Sequence, residues 1–286
     1  MDVNLNLIGG EFNMKSIVSS EQPVKNRSIL KKIAPERLLT LGTLATVLFI
    51  WFAITATGAF SETIIPSPAN VWESFVEVTQ NGYKGHTLLQ HLATSMQRLV
   101  IAYLLVVITA VPLGLLSGYN SKIRAIIEPL VEFYRPLPPL AYYTILVLWM
   151  GIDESSKLAL LYLAGFSPVY ISCVAGVMRI NEDYINGAKT LGANKWQIFF
   201  YVVFPAALTD MFTGLRTALG VEYTTLVAAE MVAATAGMGW LVLDASNYLR
   251  SDIVFMGVIL MGITGILLDQ LVRVVEERFV HWKGKV

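Results

Sequence analysis

Long uncharged apolar stretches constrain this chain more than any other feature. Residues 38–60, 99–119, 136–152, 158–178 and 253–268 contain no Asp, Glu, Lys or Arg, and residues 212–238 are broken only by Arg216, Glu222 and Glu230. A hydrocarbon core about 30 Å thick takes about 20 helical residues to cross. No water is there to satisfy backbone N–H and C=O groups, so a single apolar segment can cross only as a helix. The pattern predicts an all-α integral membrane protein with six transmembrane helices. Composition agrees: 55% of residues are hydrophobic and 15% charged, against about 25% charged in soluble domains.

Six crossings put both ends on one side, and the basic residues say which. Sixteen of the 21 Lys and Arg lie before the first span, at Lys122 and Arg124, between Arg179 and Arg216, or after the sixth span. The opposite connections hold Lys84, Lys157 and Arg250, while Arg98 and Arg135 are read at span ends. Lysine and arginine concentrate in cytoplasmic loops, so both termini and the connection 180–208 are expected in the cytoplasm. The expected division is a tail over 1–37, a membrane domain over 38–272 and a second tail over 273–286. Residues 1–13 are expected to be an annotation artefact: Met14-Lys15-Ser16 reads as a natural start, and Gly9-Gly10-Glu11 as a translated ribosome-binding site.

Several chemistries are excluded. The single cysteine, Cys173, lies in an apolar block, which rules out a disulfide or a cysteine metal site. The formal net charge of zero offers nothing to nucleic acid. His86, His91 and His281 have no metal-ligand spacing and are read outside the spans, so no metal, cofactor or catalytic residue is expected. No G-x-x-x-x-G-K-[ST] loop occurs, so the chain cannot itself hydrolyse nucleotide, and any active transport must draw energy from a partner or an ion gradient.

The most informative connection is 180–208, a polar, helix-favouring island between two apolar spans. Asn181, Glu182 and Asp183 stand where a helix N-terminus favours acceptors and negative charge. Gly192 breaks the run, and a second short helix from Lys195 is expected to stop at Pro205. Upstream, Pro68 and residues 71–78 predict an amphipathic helix. Gly237-Met238-Gly239-Trp240 reads as a flexible turn at the outer face.

Some polar residues could line a path. Arg135 is read at the cytoplasmic edge of the third span, before Pro136, Pro138 and Pro139; it could attract an anion through paired N–H donors, or snorkel and pair with Glu132. Glu222 and Glu230 are eight residues apart, about 80° around a helix, so both can face one interior sector. Glu222 could meet an ammonium group. Tyr142, Tyr143, Trp149 and Tyr223 could line a pore or serve as packing and interfacial residues.

From about Glu62 onward the chain resembles permease subunits of the nitrate/alkanesulfonate/taurine branch of ABC importers. The motifs are Ile65-Pro66-Ser67-Pro68, Ser95-x-x-Arg98 leading to Pro112-Leu113-Gly114, Glu132-Phe133-Tyr134-Arg135-Pro136-Leu137-Pro138-Pro139-Leu140-Ala141, and Leu226-Val227-Ala228-Ala229-Glu230. The connection 180–208 is similar to the family's EAA loop: Asn186, Gly187 and Ala188 stand at the triplet, followed by Gly192, Ala193 and Trp196, with Val202, Phe204 and Pro205 at the end. Two triplet letters depart. The Tyr-Arg-Pro-x-Pro-Pro-Leu-Ala string and Trp149-Met150-Gly151-Ile152 look most like taurine permeases.

The resemblance implies a type I ABC importer permease of the methionine-importer-like fold, with no enzymatic activity of its own. It would form a homodimer in lipid, with two copies of an ATP-binding subunit and a periplasmic or lipid-anchored binding protein. Loop 180–208 would be the coupling element, and Arg135, Pro138, Tyr142, Glu222, Tyr223 and Glu230 are candidates for the path. In the family's Ala-Ala-Glu string Glu230 also reads as a tie between helices. The expected substrate is taurine or a related small alkanesulfonate, with nitrate, bicarbonate or another small solute as the alternative. A self-contained ion-coupled carrier is the competing class.

Overall fold

The computed structural model describes residues 29–281, with side chains from residue 39 onward. The expectations for 1–28 and 282–286, including the start at Met14, lie outside the described residues. The described residues fall into two units, divided between Ala53 and Ile54. Helix α1 (Ile29–Ala56) accounts for the described part of the first. Thr43 and Thr46 donate their hydroxyls back to Leu39 O and Gly42 O, so the helix satisfies its own polar groups, as a lipid environment requires.

In the second unit the elements are α2 (Pro68–Asn81), α3 (Leu88–Tyr119), α4 (Ser121–Tyr134), α5 (Pro139–Met150), α6 (Glu154–Met178), α7 (Glu182–Thr190), α8 (Lys195–Ile198), α9 (Phe204–Ala233), α10 (Met238–Asn247) and α11 (Ser251–Phe279). Counting α8 and α9 as one run, five helical segments among the described residues are long and apolar enough to cross a membrane.

The core is the packing of α6 between α3 and α9. Helices α3 and α6 run parallel: Gly114 lies against Tyr170 and Cys173, and Gly118 against Val177. Helices α6 and α9 run antiparallel, with Gly214 of α9 against Ser172 and Gly176 of α6 against Asp210. At each of these positions a Cβ would come within 2.8 Å of a neighbour. Small residues are what let membrane helices approach this closely, because van der Waals contact takes over from a hydrophobic driving force there. Leu160, Val169, Cys173, Val203 and Ala207 are completely buried in the resulting core. Cys173 is thus a packed apolar residue.

Several boundaries differ from expectation, each for a local reason. Helix α3 begins eleven residues before 99, because Thr87 and Gln90 form a reciprocal capping box that starts it at Leu88. It therefore includes His91, which is not outside the helix but fully buried. Its Nδ1 accepts from Gly237 N (3.2 Å), which leaves Nε2–H to donate to Tyr83 O (3.2 Å). The ring stacks on Trp240. Nearby, the Tyr83 hydroxyl donates to Asp244 (2.8 Å), and burial together with that bond pushes the phenol above its ordinary range.

Pro205 does not end a helix. A π-helical turn, Phe199–Val203, precedes it, and Phe204 N bonds back to Phe199 O. The widened turn absorbs the register shift that a proline's missing N–H and ring would otherwise force, so α8 leads straight into α9. Helix α9 stops at Ala233, short of 238, and Gly237-Met238-Gly239-Trp240 opens a helix, α10, rather than a plain turn. Helix α11 continues through Phe279, well past the expected boundary at 272, with Arg216 of α9 bonded to Asp269 (3.1 Å) on its charged part.

The expected third span, 136–152, holds only α5, which the break at residues 135–138 separates from α4. Helix α5 alone has 12 residues, about 18 Å at 1.5 Å per residue, too short for a 30 Å core.

Candidate functional site

The loop between α6 and α9 is built from local signals in series. Asn181 caps α7, accepting from Asp183 N (2.9 Å), with Glu182 and Asp183 in the first turn and Lys189 in the last. The helix ends when Gly192 takes φ +82°; its N–H bonds Lys189 O (2.9 Å), and Ala193 N bonds Ala188 O (3.0 Å). This 6→1 and 5→2 pairing satisfies the final carbonyls and needs a left-handed residue, which glycine supplies without strain. Asn194 and Gln197 follow with a capping box at 2.8 and 2.9 Å, which starts α8. Arg179 at the end of α6 pairs with Asp210 of α9 (2.9 Å) and closes the base of the loop.

Ile185, Ala188 and Ala193 pack inward, while no residue of α7 is fully buried. Facing out are Tyr184, Leu191 (90% exposed), Trp196 (73% exposed) and Tyr201, with Trp196 stacked on Phe200. Asn186 accepts from Lys189 Nζ (3.3 Å), and Gly187 faces open space, so the two departures from the triplet disturb no packing. Val202, Phe204 and Pro205 sit half-buried where the π turn meets α9.

A second feature lies at the break between α4 and α5. Arg124, in the first turn of α4, contacts Met178 at the loop end of α6, and α5 finishes next to the start of α6. The break between them is therefore level with the middle of α6 and α9. There Tyr134, Arg135, Tyr142, Ser167 and Val221 line a cleft of about 250 Å³. Arg135 is accordingly not at the edge of a span. It is exposed and has no ion-pair partner among the described residues, Glu132 included. Pro138 caps α5 with no side-chain bond to its N-terminus.

The other polar residues divide sharply. Glu222 is fully buried, and neither carboxylate oxygen has a hydrogen-bond partner. It fills the space beside Gly165 of α6, where an added Cβ would lie 1.8 Å from Oε1. Gly165→Ala is therefore expected to lower thermal stability, by roughly 1–3 kcal/mol if it acts as ordinary overpacking. The double variant Gly165→Ala/Glu222→Ala should be more stable than Gly165→Ala alone in a detergent melting assay; equal melting would show that the two residues do not compete for that space.

Glu230, in contrast, is fully satisfied. It accepts from Ser95 Oγ (2.8 and 2.9 Å), Arg98 (2.8 Å) and Gly239 N (2.9 Å). Arg98, read from the sequence at a span end, is buried in α3. It forks onto Glu154 at 2.6 and 2.7 Å and also holds Ala236 O at 2.8 Å. Buried Lys157 adds a 3.3 Å contact to Glu154. The network joins α3, α6, α9 and α10 at the end opposite the loop. The motif strings contain Ser95, Arg98 and Glu230, but nothing in their spacing shows that they meet. Tyr223 binds α11 through Met261 O (2.8 Å), Tyr143 is buried, and Trp149 is exposed.

The geometry is that of a helical membrane bundle with a capped, exposed loop between two long apolar helices. Residues 110–281 match the family described as binding-protein-dependent transport system inner membrane component, and the chain belongs to that family. It is 39% identical to the taurine transport system permease protein TauC of Escherichia coli (strain K12), over 87% of this chain and 90% of that one. The putative aliphatic sulfonates transport permease protein SsuC of Bacillus subtilis (strain 168) is 30% identical, over 84% and 86%. The nitrate import permease protein NrtB of Synechocystis sp. (strain ATCC 27184 / PCC 6803 / Kazusa) is 27% identical, over 95% and 100%. The chain is thus an ABC importer permease subunit of the nitrate/alkanesulfonate/taurine branch. Membership implies an ATP-binding subunit and a substrate-binding protein as partners.

Proposed function

We propose that the chain forms, as a homodimer in the bacterial inner membrane, the path for taurine or a related small alkanesulfonate. Both termini face the cytoplasm, as the basic residues argue. The observation that carries the coupling half of this reading is the loop 180–208. It is capped at every turn, clamped at its base by Arg179–Asp210, and continuous with α9 through the π turn. A push on such an element is passed on as a rigid-body displacement rather than absorbed. Its exposed Leu191, Trp196 and Tyr201 suit a protein partner, since aromatic residues dominate such contacts. The ATP-binding subunit is that partner, touching the loop around Asn186, Gly187, Ala188 and Gly192.

For the path, the cleft beside Arg135, Pro138 and Tyr142 is the favoured location. Glu222, next to the wall residue Val221 in the chain and packed against Gly165, would meet the amine of a zwitterion. Tyr223 and Glu230 are better explained as ties to α11 and α10 than as path residues.

The test is reconstitution of the whole importer, with its own ATP-binding subunit and binding protein, in liposomes. ATP-dependent uptake of labelled taurine, blocked by unlabelled taurine but not by nitrate, is expected. Blocking by nitrate would move the substrate, and uptake without ATP would replace the mechanism with that of an ion-coupled carrier.

A further inference from the structure

Together α4 and α5 behave as one interrupted helix. They supply 14 and 12 residues, about 39 Å of helix at 1.5 Å per residue, running from the loop end of the unit to its opposite end. Irregular backbone at membrane depth is tolerated where it is buried in protein or lines a cavity, and a cavity is present at this break.

The polar groups around that cavity share one electrostatic character. Arg135 brings a guanidinium with no counter-charge, and no acidic side chain lines the cleft. The Tyr134 hydroxyl is buried and has no hydrogen-bond partner. Ser167, 7% exposed, lines the cleft from α6, and Tyr142 faces it from α5. The N-terminus of α5 opens there with no side-chain cap, adding the positive end of a helix dipole. An unpartnered hydroxyl and an unpaired guanidinium in one cleft amount to a donor set without its acceptor. Buried polar groups are normally paired, so the Tyr134 hydroxyl is the group that calls for an acceptor, with the exposed Arg135 beside it. A guanidinium fork suits an oxyanion that can accept two parallel bonds. At ~30 Å³ per water the cleft has room for several waters, hence for a small organic anion.

We infer that the break between α4 and α5 is an oxyanion subsite, in which Arg135, Tyr134, Ser167 and Tyr142 hold the sulfonate group of a solute at the mid-level of the unit. The subsite rests on the importer reading for its role in transport, but its existence can be tested apart from transport. A sulfonate there accepts from Arg135 and the hydroxyls, while the solute's carbon chain lies against the apolar wall of Leu163, Ala164 and Val221. Donors on one end of the solute only, rather than a closed cage, let it leave again.

The experiment is equilibrium dialysis with the full chain in complex with its ATP-binding subunit, in phosphatidylcholine nanodiscs, without binding protein. Labelled taurine should bind saturably and be displaced by methanesulfonate but not by ethylammonium. Arg135→Gln should weaken binding at least tenfold, and Tyr134→Phe two- to fivefold, in complexes that elute and melt like the wild type. Binding unaffected by Arg135→Gln, displacement by ethylammonium, or no saturable binding to the wild type would overturn the inference. A second arm adds phosphatidylglycerol: unchanged affinity supports a solute site, whereas loss of taurine binding would show that Arg135 serves lipid headgroups and overturn it. If wild-type complexes bind sulfonate at this cleft but show no ATP-driven uptake in liposomes, the proposed taurine transport fails and the subsite stands.

Discussion

Replacing Arg98 with alanine is expected to cost the bundle more than any other single change. The side chain forms four hydrogen bonds, to Glu154, Glu230 and Ala236. Glu230 has no exposure at all, so the variant leaves a carboxylate without its counter-charge in a region that water does not reach. Breaking a buried pair by removing one partner costs about 3–5 kcal/mol. At ~2–4 °C per kcal/mol for a chain near this size, the melting temperature should fall by roughly 10 °C in detergent. Arg98→Lys should recover only part of the loss, because an ammonium cannot fork onto Glu154 while also holding Ala236 O. Arg98→Met combined with Glu230→Met should melt higher than Arg98→Ala, since removing both charges avoids the orphan. A melting temperature within a degree or two of wild type for Arg98→Ala would mean that the network carries little of the stability. Ser95 and Glu230 also hold Met238 N and Gly239 N, so the same variant should loosen α10. Limited proteolysis between α9 and α10 would register that separately.

Gly192→Pro should leave the protein in the membrane but disconnect it from ATP hydrolysis. Gly192 has φ +82° and donates to Lys189 O. Proline fixes φ near −65° and has no N–H, so both the chain reversal and the helix stop are lost. Gly192→Ala keeps the donor and meets no neighbouring atom; its cost is the left-handed backbone, about 1–2 kcal/mol. In the reconstituted importer Gly192→Pro should cut ATP-driven uptake at least about tenfold, the range of a typical coupling free energy between sites. Gly192→Ala should cut it less, and both variants should reach the membrane at wild-type levels. Near-normal uptake by Gly192→Pro would separate the loop from coupling. Loss of membrane insertion would show that the bend serves folding instead.

Much of this was legible from residue order, for reasons that can be named. Charge-free blocks are a property of the linear chain, and they identify a helical membrane protein. The caps of α7 and α8 were legible too, because Asn181 and Asn194 act on residues two or three positions away. Errors arose where a local rule met a distant partner or an uncommon turn. Pro205 reads as a stop until the π turn before it is seen. Arg135 beside prolines reads as an interfacial residue until Ala164, Ser167 and Val221 place it at mid-level. His91 reads as an idle polar residue until Gly237 and Tyr83 close on it.

Residue order alone therefore established a helical membrane protein, five of its long apolar segments and its most prominent loop, because hydropathy, charge and caps act over at most a few turns of one helix. Tertiary structure decided which buried charges are satisfied. Arg98 and Glu230 are 132 residues apart, and only the close approach of α3, α6 and α9 over their glycines brings them within hydrogen-bonding distance. The same approach leaves Glu222 without a partner against Gly165. A buried charge is stabilising or costly according to what lies within a few ångströms of it, and that distance is set by the packing of helices.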